Sequence, residues 1–214
     1  MKFVCLYTNW LRDAGASFEH LHRQVMGIDR FSDEAERGAH MELKSPNIFD
    51  RYVSEIGYDH NYVICDNPFA VAVADIGRPF PTIAVYSKSD HLRPDEHSPD
   101  EVRGMSDVVH AVHAALGSDK SMNEEWYYSS PQTEMTLPWY VLIKWRNHRL
   151  AGIEGIMGIF PNEYSPRDVK EMFVEALLKQ RETGTIAQLN IGDECRKEDG
   201  ILNYSRAKAW QNMS

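Results

Sequence analysis

Three short apolar runs crowded between Tyr62 and Tyr86 constrain the fold of this chain most. Tyr62-Val63-Ile64-Cys65, Phe69-Ala70-Val71-Ala72-Val73-Ala74 and Thr82-Ile83-Ala84-Val85-Tyr86 are rich in strand formers. Asp66-Asn67-Pro68 and Gly77-Arg78-Pro79-Phe80-Pro81 separate them. Parallel neighbours need a crossover of about a dozen residues or more, usually a helix. These connections are too short for that, so the three runs are expected as an antiparallel meander.

Helices flank the meander. Ser98-Pro99-Asp100-Glu101 combines a serine cap, a first-turn proline and a glutamate at the capping-box position. Val102, Met105, Val108, Val109, Val112 and Leu116 then form one apolar stripe. Ser165-Pro166-Arg167-Asp168 repeats the signal ahead of Val169, Met172, Phe173, Ala176 and Leu177. A helix start is also expected at residues 32–37, and a restart at 44–47 places Ile48, Phe49, Tyr52, Val53 and Ile56 on one face. Residues 2–8, 18–28, 137–145 and 150–160 read as further strands, the last with Gly152, Gly155 and Gly158 as turn or close-packing positions. The sum is α+β with a mainly antiparallel sheet.

Composition limits the partners. No apolar run of the 214 residues reaches the roughly 18 needed to cross a bilayer. The N-terminal apolar stretch is broken by Thr8 and Asn9 and reads as a strand, not a signal peptide, so the default location is the cytoplasm. Cys5, Cys65 and Cys195 are far apart, which argues against a disulfide framework and against a cysteine zinc site. A net charge of −9 disfavours a nucleic-acid backbone as partner. A small phosphorylated ligand fits, because a local pocket can be cationic in an acidic protein.

The chemistry concentrates in Gly15-Ala16-Ser17-Phe18-Glu19-His20-Leu21-His22-Arg23-Gln24. On an extended segment His20, His22 and Gln24 share one face. Gly15 and Ala16 let the backbone approach a ligand, and their N–H groups with the Ser17 hydroxyl are placed to hold phosphate oxygens. An imidazole beside such donors suits phosphoryl or nucleotidyl transfer. The same His-x-His pattern also fits a metal-ligand pair or a solvated face. His110 and His113, one turn apart on a helix, read as surface or half-buried histidines ahead of metal ligands.

With these elements in place the chain resembles the galactose-1-phosphate uridylyltransferase family of the histidine-triad (HIT-like) superfamily. Four stretches carry the likeness in the family's order: Phe3 to Gln24; Asp33-Glu34-Ala35-Glu36-Arg37 with Lys44-Ser45-Pro46; the meander ending in Tyr86-Ser87-Lys88-Ser89-Asp90-His91; and Trp139 to Lys144, followed by Ala151-Gly152-Ile153-Glu154 and Asn162-Glu163-Tyr164-Ser165-Pro166. The likeness covers roughly residues 2–180. The family is a pair of HIT-like halves, and this chain resembles the end of the first with all of the second. The resemblance therefore divides it into a strand pair carrying the motif (1–30), connecting helices (31–58), a second HIT-like domain (59–182) and a C-terminal tail (183–214).

The resemblance implies a nucleotidyltransferase of carbohydrate metabolism acting on a nucleotide sugar and a sugar 1-phosphate. His22 is implied as the nucleophile that forms a covalent nucleotidyl-imidazole. Ser17, Gln24 and Asn9 are implied as phosphate-binding, Glu154 and Asn162 as sugar-end contacts, and His20 as structural or metal-proximal. The departures are specific. Zinc is possible in the wider family, but its Cys-x-x-Cys ligands are absent here, so no metal is assigned and no cofactor is certain. The family's Trp-x-x-His-x-His stands here as Trp139-Tyr140-Val141-Leu142-Ile143-Lys144, without an imidazole. Lys144 either supplies charge there or is solvated. Two alternatives follow: a non-catalytic nucleotide- or sugar-phosphate-binding protein, and a half-enzyme completed by a missing N-terminal segment. A first strand lying directly before the motif implies an unpaired sheet edge, hence a homo-oligomer or that completing segment.

Overall fold

The structure is a computed structural model, and it describes residues 2–132 and 136–204. Its centre is one antiparallel sheet of eight strands: β1 (Phe3–Trp10), β2 (Arg23–Ile28), β3 (Val63–Asp66), β4 (Ala70–Ala74), β5 (Thr82–Ser87), β6 (Met122–Tyr127), β7 (Tyr140–Trp145) and β8 (Asn190–Ile191). The spatial order is β2-β1-β6-β7-β5-β4-β3-β8. The meander expected from the short turns is β3-β4-β5, paired Val73 to Ala84 and Val63 to Val73. The strand pair of residues 1–30 continues the same sheet through β1–β6 pairing, Tyr7 opposite Glu125 and Asn9 opposite Asn123. No strand of the described residues pairs with the outer side of β2.

Helices cover both faces. On one lie α3 (Pro99–Leu116) and α5 (Pro166–Glu182), whose apolar stripes meet Ile83, Val85, Val141 and Ile143. Both start with capping boxes at the expected serines: Ser98 Oγ accepts from Glu101 N, and Glu101 Oε2 accepts from Ser98 N at 2.7 Å. On the other face lie α1 (Asp33–Lys44), capped by Ser32, and α2 (Ile48–Arg51), which runs on as wider π-helical turns to Asp59. Phe49, Val53, Ala84, Tyr86 and Leu142 form the second core there. Of the expected stripes, Val102 and Met172 are exposed, and small residues such as Gly104 and Ala111 are buried instead.

Two expectations are corrected. Residues 150–160 are not a strand: they contain α4 (Gly152–Met157). The Glu154 carboxylate accepts from Ala151 N at 2.7 Å, and Gly158 ends the helix at φ +62°. Gly152 and Gly158 are thus helix punctuation, a start and stop that strand-like apolar content concealed, while Gly155 lies inside the helix. The histidine-bearing strand does not span 18–28 either. β2 begins at Arg23, and His20 and His22 precede it. There the His22 ring Nδ1–H donates to the His20 carbonyl at 2.7 Å, and Phe18 stacks on the His22 ring at 4.8 Å. Such local side-chain bonds compete with ladder formation at a strand end.

Candidate active site

Across β2, β1, β6 and β7 the two faces of the sheet carry different chemistry. The face shared with α1 and α2 ends in a polar floor. The Tyr7 hydroxyl donates to Gln24 Oε1 at 3.0 Å, in register across β1–β2. Asn123 Nδ2 donates to Asn9 Oδ1 at 2.7 Å and to the Ala14 carbonyl at 2.9 Å. Lys144 Nζ and the Tyr127 hydroxyl both donate to Glu125 Oε2 at 2.6 Å. Strand alternation aligns these groups, because Tyr7, Asn9, Asn123, Glu125 and Lys144 occupy alternate positions on neighbouring strands. The sequence reading singled out Gln24 and Asn9. It did not find Tyr7, Asn123 or Glu125, whose spacings carry no motif.

On the opposite face, α3 and the start of β2 frame a cleft of ≈ 770 Å³ lined by His22, Arg23, His113, Trp10 and Val109 among others. Its polar end is built on Glu124, 2% exposed. One oxygen of that carboxylate accepts from Arg23 at 2.5 Å and from Trp126 Nε1 at 2.6 Å. The other pairs with His113 Nε2 at 2.7 Å. The Arg23 guanidinium also sits 4.9 Å from the centre of the Trp126 ring. Burial pushes the Glu124 carboxyl up, but bonds from His113 and Trp126 with the charges of His113 and Arg23 outweigh it and hold the group below its ordinary value. Arg23 and Glu124 lie a hundred residues apart, and only β1–β2 and β1–β6 pairing brings them together.

The structure separates some of the sequence-picked residues. Gln24 and Asn9 are on the polar floor, while His22 lines the cleft behind it. The reason is that β2 starts one residue after His22. His20 is exposed, as are Ser17 and Asn162. The N–H groups of Gly15 and Ala16 are spent on the carbonyls of Arg12 and Leu11, so they do not form the expected phosphate cradle. Glu154 is buried and caps α4, and Asn162 Oδ1 accepts from Tyr164 N. Neither hydrogen-bonds the polar floor among the described residues. Zinc does not fit. No Cys-x-x-Cys accompanies His20, and no group of three or more His, Cys, Asp or Glu among the described residues is placed to hold a metal. Nor is any helix of the described residues long and apolar enough to cross a membrane.

An eight-stranded antiparallel sheet flanked by helices, with a motif-bearing strand pair at one end, defines an α+β protein of the HIT-like, galactose-1-phosphate uridylyltransferase fold. The chain belongs to the family described as Domain of unknown function (DUF4921), whose model matches residues 1–204. Among solved structures it is similar to a uridylyltransferase, at TM-score 0.72 and 15% identity over 83% of this chain and 61% of that one. It is also similar to an ADP-glucose phosphorylase from Arabidopsis thaliana with bound ADP-glucose, at TM-score 0.69 and 17% identity over 80% and 58%. A GalT-like protein from Arabidopsis thaliana matches at TM-score 0.69 and 17% identity, over 80% and 60%. The chain thus spans less than two thirds of each of these structures. No curated protein sequence matches it.

Proposed function

We propose that the chain is a nucleotidyltransferase of the galactose-1-phosphate uridylyltransferase type, or the part of one that carries the nucleophile. His22 Nε2 attacks the α-phosphorus of a nucleotide sugar. The P–N bond forms as the bond to the sugar phosphate oxygen breaks, and sugar 1-phosphate leaves. A second sugar 1-phosphate, or inorganic phosphate, then attacks the nucleotidyl-histidine; the P–N bond breaks and the imidazole is restored. Gln24 and Asn9 hold phosphate oxygens from the polar floor. Ser17, Glu154 and Asn162 are assigned to substrate contacts and His20 to a structural role on the resemblance alone. No step is routed through a metal.

The observation that carries this reading is an open register position. β1 and β2 pair Tyr7 with Gln24 and Thr8 with Arg23, so one further step places His22 opposite Asn9. Alternation then turns His22 to the face of Gln24, Tyr7 and Asn9. β1 already extends past that position to Trp10. A second feature supports it: a carbonyl can only accept, so the bond to His20 fixes the proton on Nδ1 and leaves the Nε2 lone pair for attack. Either a second copy or a preceding segment would pair along the free side of β2.

The observed position of His22, behind the sheet and apart from Gln24, favours a second reading, a nucleotide- or sugar-phosphate-binding protein without turnover. Intact mass after incubation with UDP-glucose or ADP-glucose decides between them. The transferase gains one nucleotide monophosphate, and His22→Ala does not. A folded protein that binds nucleotide yet gains no mass with either donor is the binding protein.

A further inference from the structure

The geometry points to an oxyanion site at Arg146, beside the polar floor, that takes the terminal phosphate of the acceptor. In naming that ligand the inference rests on the transferase reading; the anion site itself does not. Arg146 follows β7 and lies over the Phe80 ring, 4.2 Å from its centre. Its Nη1 donates to Asn123 Oδ1 at 2.9 Å, the same Asn123 whose amide nitrogen holds Asn9. This contact fixes the guanidinium at the end of the floor. It leaves the Nε–Nη2 edge, the side that grips carboxylate or phosphate with two parallel bonds, without a protein acceptor among the described residues.

The surroundings hold two donors without acceptors. Arg146 Nε and Asn147 Nδ2 are shut off from solvent and have no hydrogen-bond partner, and His148 Nε2, left with its lone pair because Nδ1–H donates to Asn147 Oδ1 at 3.1 Å, is unpartnered as well. Buried polar atoms are ordinarily matched, so three orphans in one tripeptide call for an explanation. The nearby carboxylates are engaged elsewhere: Glu125 with Lys144 and Tyr127, Asp13 with Arg149 at 2.7 Å. No carboxylate of the described residues makes an ion pair with Arg146. Burial lowers its pKa, and the more distant charges of Glu125 and Asp13 do not make this good. A half-buried guanidinium with an unmatched Nε and no counter-ion is a poor structural element and a good receptor for one. An incoming oxyanion displaces the atoms now covering Nε and supplies acceptors to Arg146 Nε and Asn147 Nδ2.

The test is a titration of the full chain followed on the arginine Nε–Hε resonances in a ¹H–¹⁵N spectrum, with Arg146 assigned from Arg146→Lys. Inorganic phosphate and glucose 1-phosphate are the two probes. Saturable movement of the Arg146 resonance by either supports the site, and the tighter probe names the acceptor, free phosphate or phosphomonoester. Arg146→Lys is expected to weaken that binding by about tenfold or more, since an ammonium cannot form the two-pronged contact. Two results overturn the proposal: an unmoved Arg146 resonance with both probes, or shifts that never saturate and are matched by sodium chloride. The wild-type titration stands even if the variant folds poorly. Phosphate binding without a nucleotidyl adduct removes the transferase reading and keeps the anion site, and an adduct without phosphate binding does the reverse.

Discussion

His97 shows how burial sets the chemistry of one side chain. Its Nδ1–H donates to the Arg93 carbonyl at 2.7 Å, and its Nε2 accepts from the Ser87 hydroxyl at 2.8 Å. The Trp139 indole stands edge-on at 4.9 Å. Burial lowers its pKa from the ordinary 6.5, against the opposing pull of the Arg93 carbonyl and Glu101. A folded-state value below the unfolded one means that the unfolded chain takes up the proton first. Stability is therefore complete above about pH 6.5 and falls as pH drops through 6.5 toward the lower folded value, by up to about 1.4 kcal/mol per pH unit. The chain has nine histidines, so the variant isolates the effect. His97→Gln is expected to flatten the pH dependence of the urea midpoint between pH 7.5 and 5.5. An unchanged slope removes His97 from the account. Glu124 illustrates the opposite case, a buried carboxylate kept ionised by the partners that surround it.

At the scale of elements, α3 seats on the sheet through a glycine. A Cβ on Gly104 would meet Phe69 Cδ2 at 2.5 Å and Cβ at 2.7 Å. The Gly104 carbonyl also accepts from Asn67 Nδ2 at 2.8 Å, and Asn67 Oδ1 accepts from the N–H groups of Phe69 and Ala70. One turn, between β3 and β4, thereby locks the helix to the meander. Gly104→Ala improves helix propensity by roughly 1 kcal/mol yet forces Phe69 or the helix to shift, at about 1–3 kcal/mol. A net loss in urea stability is expected. A gain would show that Phe69 repacks freely. The exposed apolar side of α4, with Ile156 82% exposed, has no comparable anchor among the described residues.

The described residues form one sheet with a core on each side, and residues 201–204 return to the α1 side. Ile201, Leu202 and Tyr204 are buried against Phe49, Leu137 and Tyr140. The Tyr204 hydroxyl donates to Glu42 at 2.7 Å, and Leu202 N donates to Asp50 at 2.7 Å. A chain ended after Gly200 loses three core side chains and these bonds. Its unfolding free energy is expected to fall by at least about 4 kcal/mol, since one buried aliphatic truncation alone costs about 2–5 kcal/mol. A wild-type denaturant midpoint would show that the core closes without the tail.

What the sequence determined by itself was local or strongly periodic. The short turns dictated the antiparallel meander, and the serine-proline caps dictated the starts of α3 and α5. The ordered set of motifs carried the HIT-like fold. The sequence also marked Gln24, because alternation along a strand is readable from spacing alone, whereas Asn9 was marked by the family resemblance. Tertiary structure decided where β2 begins, and hence which face His22 occupies, since a single residue of strand length moves a side chain through the sheet. It decided that residues 152–157 coil into a helix, where one glutamate cap outweighs apolar content. It also assembled Arg23 with Glu124 and Arg146 with Asn123 and Phe80. Those contacts join residues far apart in the chain, and only strand register brings them within hydrogen-bond or ring-contact distance.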